Sequence, residues 1–184
     1  MTGNLFVITA PSGAGKDTIL GKLLAQDDNL FLSVSATTRQ PRVGEIDGKH
    51  YHFLTKEQFE EKISQDGLLE YAKYADNYYG TPVEYVTAKL EEGLDVIVEI
   101  ETQGAAKIRE KFPEATFIFI NAPSFEELKR RLVSRGTDSL EVIEKRLEIA
   151  KKEVLEQDKF DFIVINDIVD RACEEILNII KNKR

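Results

Sequence analysis

At 184 residues, with 42% hydrophobic and 32% charged content, the chain fits one average-to-large globular domain and is unlike a disordered or low-complexity polymer. Its net charge of −8 argues against general nucleic-acid binding, and no apolar stretch nears the roughly 20 residues that span a bilayer. The lone cysteine, Cys173, excludes an internal disulfide, and the N-terminus lacks a leader pattern, so the expectation is a cytoplasmic protein with no nucleic-acid or membrane partner.

Leu5 to Thr9 is an apolar, β-branched run that predicts a buried strand, and Lys16 to about Ala25 predicts a helix closed by Asp27-Asp28-Asn29. Leu30 to Ala36 reads as one further strand. From Thr37 to Gly48 the chain has arginines, glycines, a proline and acids without periodicity, the mark of a loop. Tyr51 to Phe53 predicts a short strand, Thr55 to Gln58 a capping box that starts a helix, and Leu68 to Tyr74 an extended segment. Asn77 to Gly80 reads as a turn. Thr81, Pro82 and Glu84 then predict an N-cap, a first helical residue and a second capping box, with the helix ending at Gly93.

Long apolar strands return at Asp95–Ile100, Thr116–Ile120 and Phe162–Ile165. Between them lie helices from about Gln103 to Phe112, from Ser124 to Gly136 and from Asp138 to about Gln157. The last helix carries Val169, Ala172, Cys173, Ile176, Leu177 and Ile180 on one face, which makes Cys173 a core residue. Strands separated by helices predict a doubly wound parallel sheet of about five strands. The section from Thr37 to about Leu90 reads as a lobe inserted into that α/β core.

Ala10, Pro11, Ser12, Gly13, Ala14, Gly15 and Lys16 join the first strand to the first helix. Gly13 and Gly15 let the backbone turn its N–H groups inward, the helix N-terminus adds a positive dipole and Lys16 a full charge, a cradle for a polyphosphate. The strict pattern would place Gly where Ala10 stands and Ser or Thr where Asp17 stands. Asp17 either helps hold a hydrated Mg²⁺ or points away and serves the helix dipole, and the Thr18 hydroxyl is one residue late for the usual metal role. Arg131 and Arg135 share a helical face and, with Arg146, form a second basic group; Arg39 and Arg42 form a third. His50 and His52 lack metal-ligand spacing.

The segments Ala10–Lys16, Ser35–Glu45 (with Arg39, Pro41, Arg42 and Gly44), Leu69–Ala72, Tyr79–Pro82 and Arg135–Thr137 occur in the order and spacing of the guanylate kinases, and the resemblance covers nearly the whole chain. It implies a P-loop core (1–36, 89–124, 148–184), a GMP-binding lobe (37–88) and a helical lid (125–147). It further implies ATP and GMP as partners, Mg²⁺ as cofactor, and a monomer or homodimer. By matching position, Lys16, Arg131, Arg135 and Arg146 would be catalytic. Ala10 to Thr18 would bind ATP, with Asn166 and Asp167 beside the adenine. Ser35, Arg39, Arg42, Tyr51 and Tyr79 would hold the GMP phosphate, Glu70 and Thr81 would read the guanine, and Glu99, where many relatives have Asp, would lie near GMP and Mg²⁺, leaving Asp17, Thr18 and Glu99 as the metal's candidate ligands, in part through water. A guanylate-kinase-like binding module without catalysis keeps the same fold; a small GTPase is opposed by the lack of an N-K-x-D motif.

Overall fold

The computed structural model describes residues 2–134 and 139–184. Its centre is a parallel sheet of five strands in the order β2-β7-β1-β8-β9, formed by Leu30–Leu32, Asp95–Glu99, Leu5–Thr9, Thr116–Asn121 and Phe162–Ile165. Side-chain alternation divides the core into two layers. Phe6, Ile8, Ile97, Ile118 and Ile120 face α1 (Lys16–Gln26) and α7 (Val169–Lys181). Leu5, Val7, Val96, Val98 and Phe117 face α3 (Val83–Glu91) and α4 (Thr102–Lys111). Each of these side chains is at most 7% exposed, and burial of that extent is worth about 1.5–3 kcal/mol per large side chain. This is the three-layer α/β arrangement expected from the alternation of strands and helices.

A second sheet, of four strands in the order β4-β3-β6-β5, stands outside the core; it is built from His52–Phe53, Ala36–Thr37, Asn77–Pro82 and Leu68–Tyr74. It packs Ala36 and Leu68 against Phe59 of α2 (Lys56–Ser64), whose capping box between Thr55 and Gln58 is fully formed. Helices α5 (Phe125–Ser134) and α6 (Leu140–Leu155) bury Leu132, Ile143 and Leu147 against each other, and Ser139 caps α6.

Three local expectations are corrected. Leu30–Ala36 is not one strand: Ser33 N–H still donates to Ile97 O in the core sheet, but from Ala36 the chain pairs with Gly80 and His52 in the second sheet. One apolar run thus serves two sheets, a division that its residue types do not encode. The turn expected at Asn77–Gly80 lies at Ala75 and Asp76, both at positive φ, and Asn77–Gly80 is strand instead. Tyr78 and Tyr79 suit a pleated surface better than a turn, and Asp76 tolerates the left-handed region. Thr81 is not an N-cap; it is buried at the end of β6, Pro82 takes the cap position, and no side chain caps α3.

Candidate active site

The carboxyl ends of β1 and β7 open into a cleft of about 850 Å³ between the two sheets and α6. In a parallel sheet such a crevice, where chain connections leave in opposite directions, is where ligands lodge. Here β1 lies between β7 and β8 in space although α1 carries the chain first to β2.

The loop after β1 lines the floor of the cleft with Ala10, Pro11, Ser12, Gly13 and Gly15, followed by Lys16, Asp17 and Thr18 of α1. Gly13 and Gly15 have φ of 89° and 88°, a left-handed conformation that L side chains resist. A Cβ on Gly15 would also stand 2.5 Å from Asn166 Nδ2. Ala14 is buried behind the loop. Its carbonyl accepts from Asn166 Nδ2 at 2.6 Å and from Arg131 Nη1 at 3.3 Å, and its N–H donates to Pro11 O at 3.1 Å within the loop. Arg131 also donates to Asn166 O at 2.9 Å and to Glu127 at 2.7 Å. With Arg130 it holds the Glu127 carboxyl down at about 2, by hydrogen bonds from both guanidinium groups. Arg131 therefore braces the loop from behind. Asn166 is buried with its Oδ1 unpartnered among the described residues, and Asp167 turns to Arg171 and to its own helix entry at Ile168 N–H.

Lys16 projects into the cleft with a side chain 18% exposed, ion-paired to Glu99 at the end of β7 and 3.4 Å from Asp17. Burial pulls its ammonium below the ordinary lysine range, and Asp17 opposes that. Asp17 is itself largely exposed and lies in the first turn of α1, so it is open to a cation and placed to favour the helix dipole. Thr18 is exposed beside it, and with Glu99 these form a set of hard oxygen donors.

Across the cleft, Ser35, Tyr51, Glu70 and Tyr79 line the wall formed by the second sheet. Glu70 is 6% exposed and accepts from the Thr81 hydroxyl at 3.0 Å, so the two residues expected to act together do meet. Burial raises the Glu70 pKa; Thr81 and Lys107 oppose the rise. Arg39 lies outside the cleft lining, held by Glu45 through two guanidinium nitrogens at 2.8 and 3.0 Å, with its charge 5.5 Å from the Tyr51 ring centroid. The hydrogen bonds from Arg39, then that from Arg42 N–H, hold the Glu45 carboxyl at about 2. Tyr51 and Tyr79 pack edge to face at 6.1 Å, and Arg42 is exposed next to Glu45. Arg146 of α6 lines the opposite wall. Arg135 lies outside the described residues.

Among the cleft residues not anticipated are two charged ones, Glu153 and Lys107. Glu153 is 9% exposed on α6, and its carboxyl is pushed up to about 7 by burial and then by Glu101, with Lys16 pulling the other way. A signal for it exists: Ile143, Leu147 and Ala150 mark the buried stripe of α6, and Glu153 is an acid at the next position of that stripe. Lys107 of α4 also lines the cleft, and nothing in its sequence surroundings distinguishes it from a solvated helix lysine.

A family model described as guanylate kinase matches residues 2–183. The guanylate kinase of Caldanaerobacter subterraneus subsp. tengcongensis is 54% identical over 178 residues, covering 97% of this chain and 86% of the relative. That of Prochlorococcus marinus is 52% identical over 174 residues, covering 95% and 94%. The crystal structure of guanylate kinase from Anaplasma phagocytophilum superposes with a TM-score of 0.75 at 31% identity, covering 99% of this chain and 86% of that one.

Proposed function

The chain belongs to the guanylate kinase family, enzymes that transfer a phosphoryl group between ATP and GMP, and from that premise we propose how its own residues divide the work. The loop Ala10–Gly15, Lys16 and Thr18 take the ATP phosphates, with Asn166 and Asp167 flanking the adenine. Ser35, Arg39, Arg42, Tyr51 and Tyr79 take the phosphate of GMP. Glu70 and Thr81 read the guanine: an anionic carboxylate accepts from N1–H and the N2 amino group, whereas adenine offers a lone pair at N1.

An oxygen of the GMP phosphate attacks the γ-phosphorus, the bond to the β-phosphate oxygen breaks, and GDP and ADP result. The acceptor is itself the nucleophile, so the protein's task is to position two anions and offset their charge. Lys16, Arg146 and Arg135 supply cations from the ATP side, and Arg39 with Arg42 from the GMP side. Residues 37–88 act as the GMP lobe and 125–147 as a lid, since cations on separate elements can surround both substrates only by closing. Asp17, Thr18 and Glu99 suit Mg²⁺, which is bound through one or two carboxylates plus phosphates and keeps several waters. When bound, the ion would offset phosphate charge. The same reading extends to dGMP as acceptor, to purine nucleotide recycling and GTP supply, to the cytoplasm, and to a monomer or homodimer.

The observation that carries this reading is that Lys16 with its phosphate loop and the Glu70–Thr81 pair line or flank one cleft. The test is ADP release from ATP with each nucleoside monophosphate in turn. Turnover with GMP and dGMP far above that with AMP, CMP or UMP is expected; comparable rates with AMP would overturn the base assignment.

A further inference from the structure

A buried carboxylate is costly to ionise, and Glu70 must be ionised to accept two hydrogen bonds from a base edge. Three groups face it across the cleft wall. The Thr81 hydroxyl approaches from β6, Glu101 adds like-charge repulsion from the turn before α4, and Lys107 approaches from α4. Lys107 is the cation among them. Its Nζ donates at 2.8 Å to the carbonyl of Tyr71, the residue following Glu70, and stands 5.5 Å from the Tyr71 ring centroid.

We infer that Lys107 is a positioning residue for base selection: its ammonium, seated on β5 beside Glu70, keeps the guanine-reading carboxylate anionic. This rests on Glu70 being the reader of guanine. A protonated Glu70 would present an O–H donor where guanine presents donors of its own, so GMP would lose binding as the carboxyl takes up a proton. A different role for the same contact is a mechanical tie between α4 and β5, such as Lys111 also provides by donating to Leu68 O at 2.8 Å. A tie needs only a donor. Control of ionisation needs a charge.

Lys107→Gln keeps a donor without the charge, Lys107→Met removes both, and Lys107→Arg keeps both. The measurement is kcat/KM for GMP from about pH 5.5 to about pH 9 at saturating ATP, with KM for ATP alongside. The phosphate of GMP titrates near pH 6 in every variant, so the comparison is between variants at each pH. Both Lys107→Gln and Lys107→Met should move the acid limb up by at least about half a pH unit, with KM for ATP unchanged, and Lys107→Arg should restore the wild-type limb. An unmoved limb in folded Lys107→Gln would overturn the inference, as would a loss in Lys107→Met alone that is equal at every pH, which is the signature of a tie. Glu70→Gln separates the two layers. If it leaves the preference for GMP over AMP intact, the reading of Glu70 fails and this inference with it; if it collapses that preference while the limb in Lys107→Gln stays put, only the role of Lys107 fails.

Discussion

Lys16 is ion-paired with Glu99, which ties the first residue of α1 to the last of β7 across 83 positions of sequence. The carboxylate holds the ammonium at the mouth of the phosphate loop, where Asp17 also faces it. Burial lowers the hold of this ammonium on its proton and Asp17 opposes that, in the place where a polyphosphate would become its partner.

Lys16→Ala should lower kcat by at least about 10²-fold, because the lost charge matters most as negative charge builds on the transferred group. Its thermal unfolding should stay close to wild type, since the side chain contributes no apolar core. A coupled assay for ADP and a melting curve on the same preparation check both halves; near-normal turnover would remove Lys16 from the machinery.

Gly15→Ala should damage the loop twice over. The backbone holds φ 88° there, which costs an L residue about 1–2 kcal/mol, and the new methyl would crowd Asn166 Nδ2 out of its bond to Ala14 O. The expected result is a lower urea midpoint together with a raised KM for ATP and little change in KM for GMP. Equal rises in both constants would mean that the loop does not serve ATP alone.

Glu70→Gln exchanges one acceptor for a donor facing guanine's N–H groups. GMP should suffer while AMP, whose N1 accepts, loses little, so the GMP-to-AMP ratio of kcat/KM should fall at least about tenfold, or about 1.4 kcal/mol. Parallel kinetics with the two nucleotides decide it.

Glu153 should make stability depend on pH near neutrality. Its carboxyl is pushed up to about 7 in the fold, so the folded chain binds more protons than the unfolded chain between the ordinary glutamate range and pH 7. Stability therefore falls as pH rises through that window, and the full deficit remains above it. Glu153→Gln cannot ionise and should be more stable than wild type at about pH 8 by about 1–3 kcal/mol, the gap closing towards about pH 4.5. Urea melts at several pH values test this, and a gap that does not vary with pH would show that Glu153 is not the titrating group.

Much of the site was legible in the chain because local chemistry marks it. Gly13, Gly15 and Lys16 between an apolar strand and a helix need no partner from elsewhere to announce a tight glycine loop at a helix N-terminus, and the alternation of long strands with helices dictates a parallel sheet covered on both faces. The motifs from Ser35 to Thr81 group Ser35, Tyr51, Glu70 and Tyr79 in one segment, and in the fold these four line one cleft. What tertiary structure alone decided concerns partners distant in sequence. The run from Leu30 to Ala36 divides between two sheets because Ser33 still reaches Ile97 while Ala36 finds Gly80. Thr81 gives its hydroxyl to Glu70 and not to a helix end, for a buried carboxylate in need of a donor outweighs an optional cap. Arg131, marked by spacing alone as a basic group beside Arg135, is brought by the fold to Ala14, Asn166 and Glu127. Glu153 and Lys107 acquire their character only from the low-dielectric cleft in which folding leaves them, since burial and neighbouring charge, not residue type, set how tightly a side chain holds its proton.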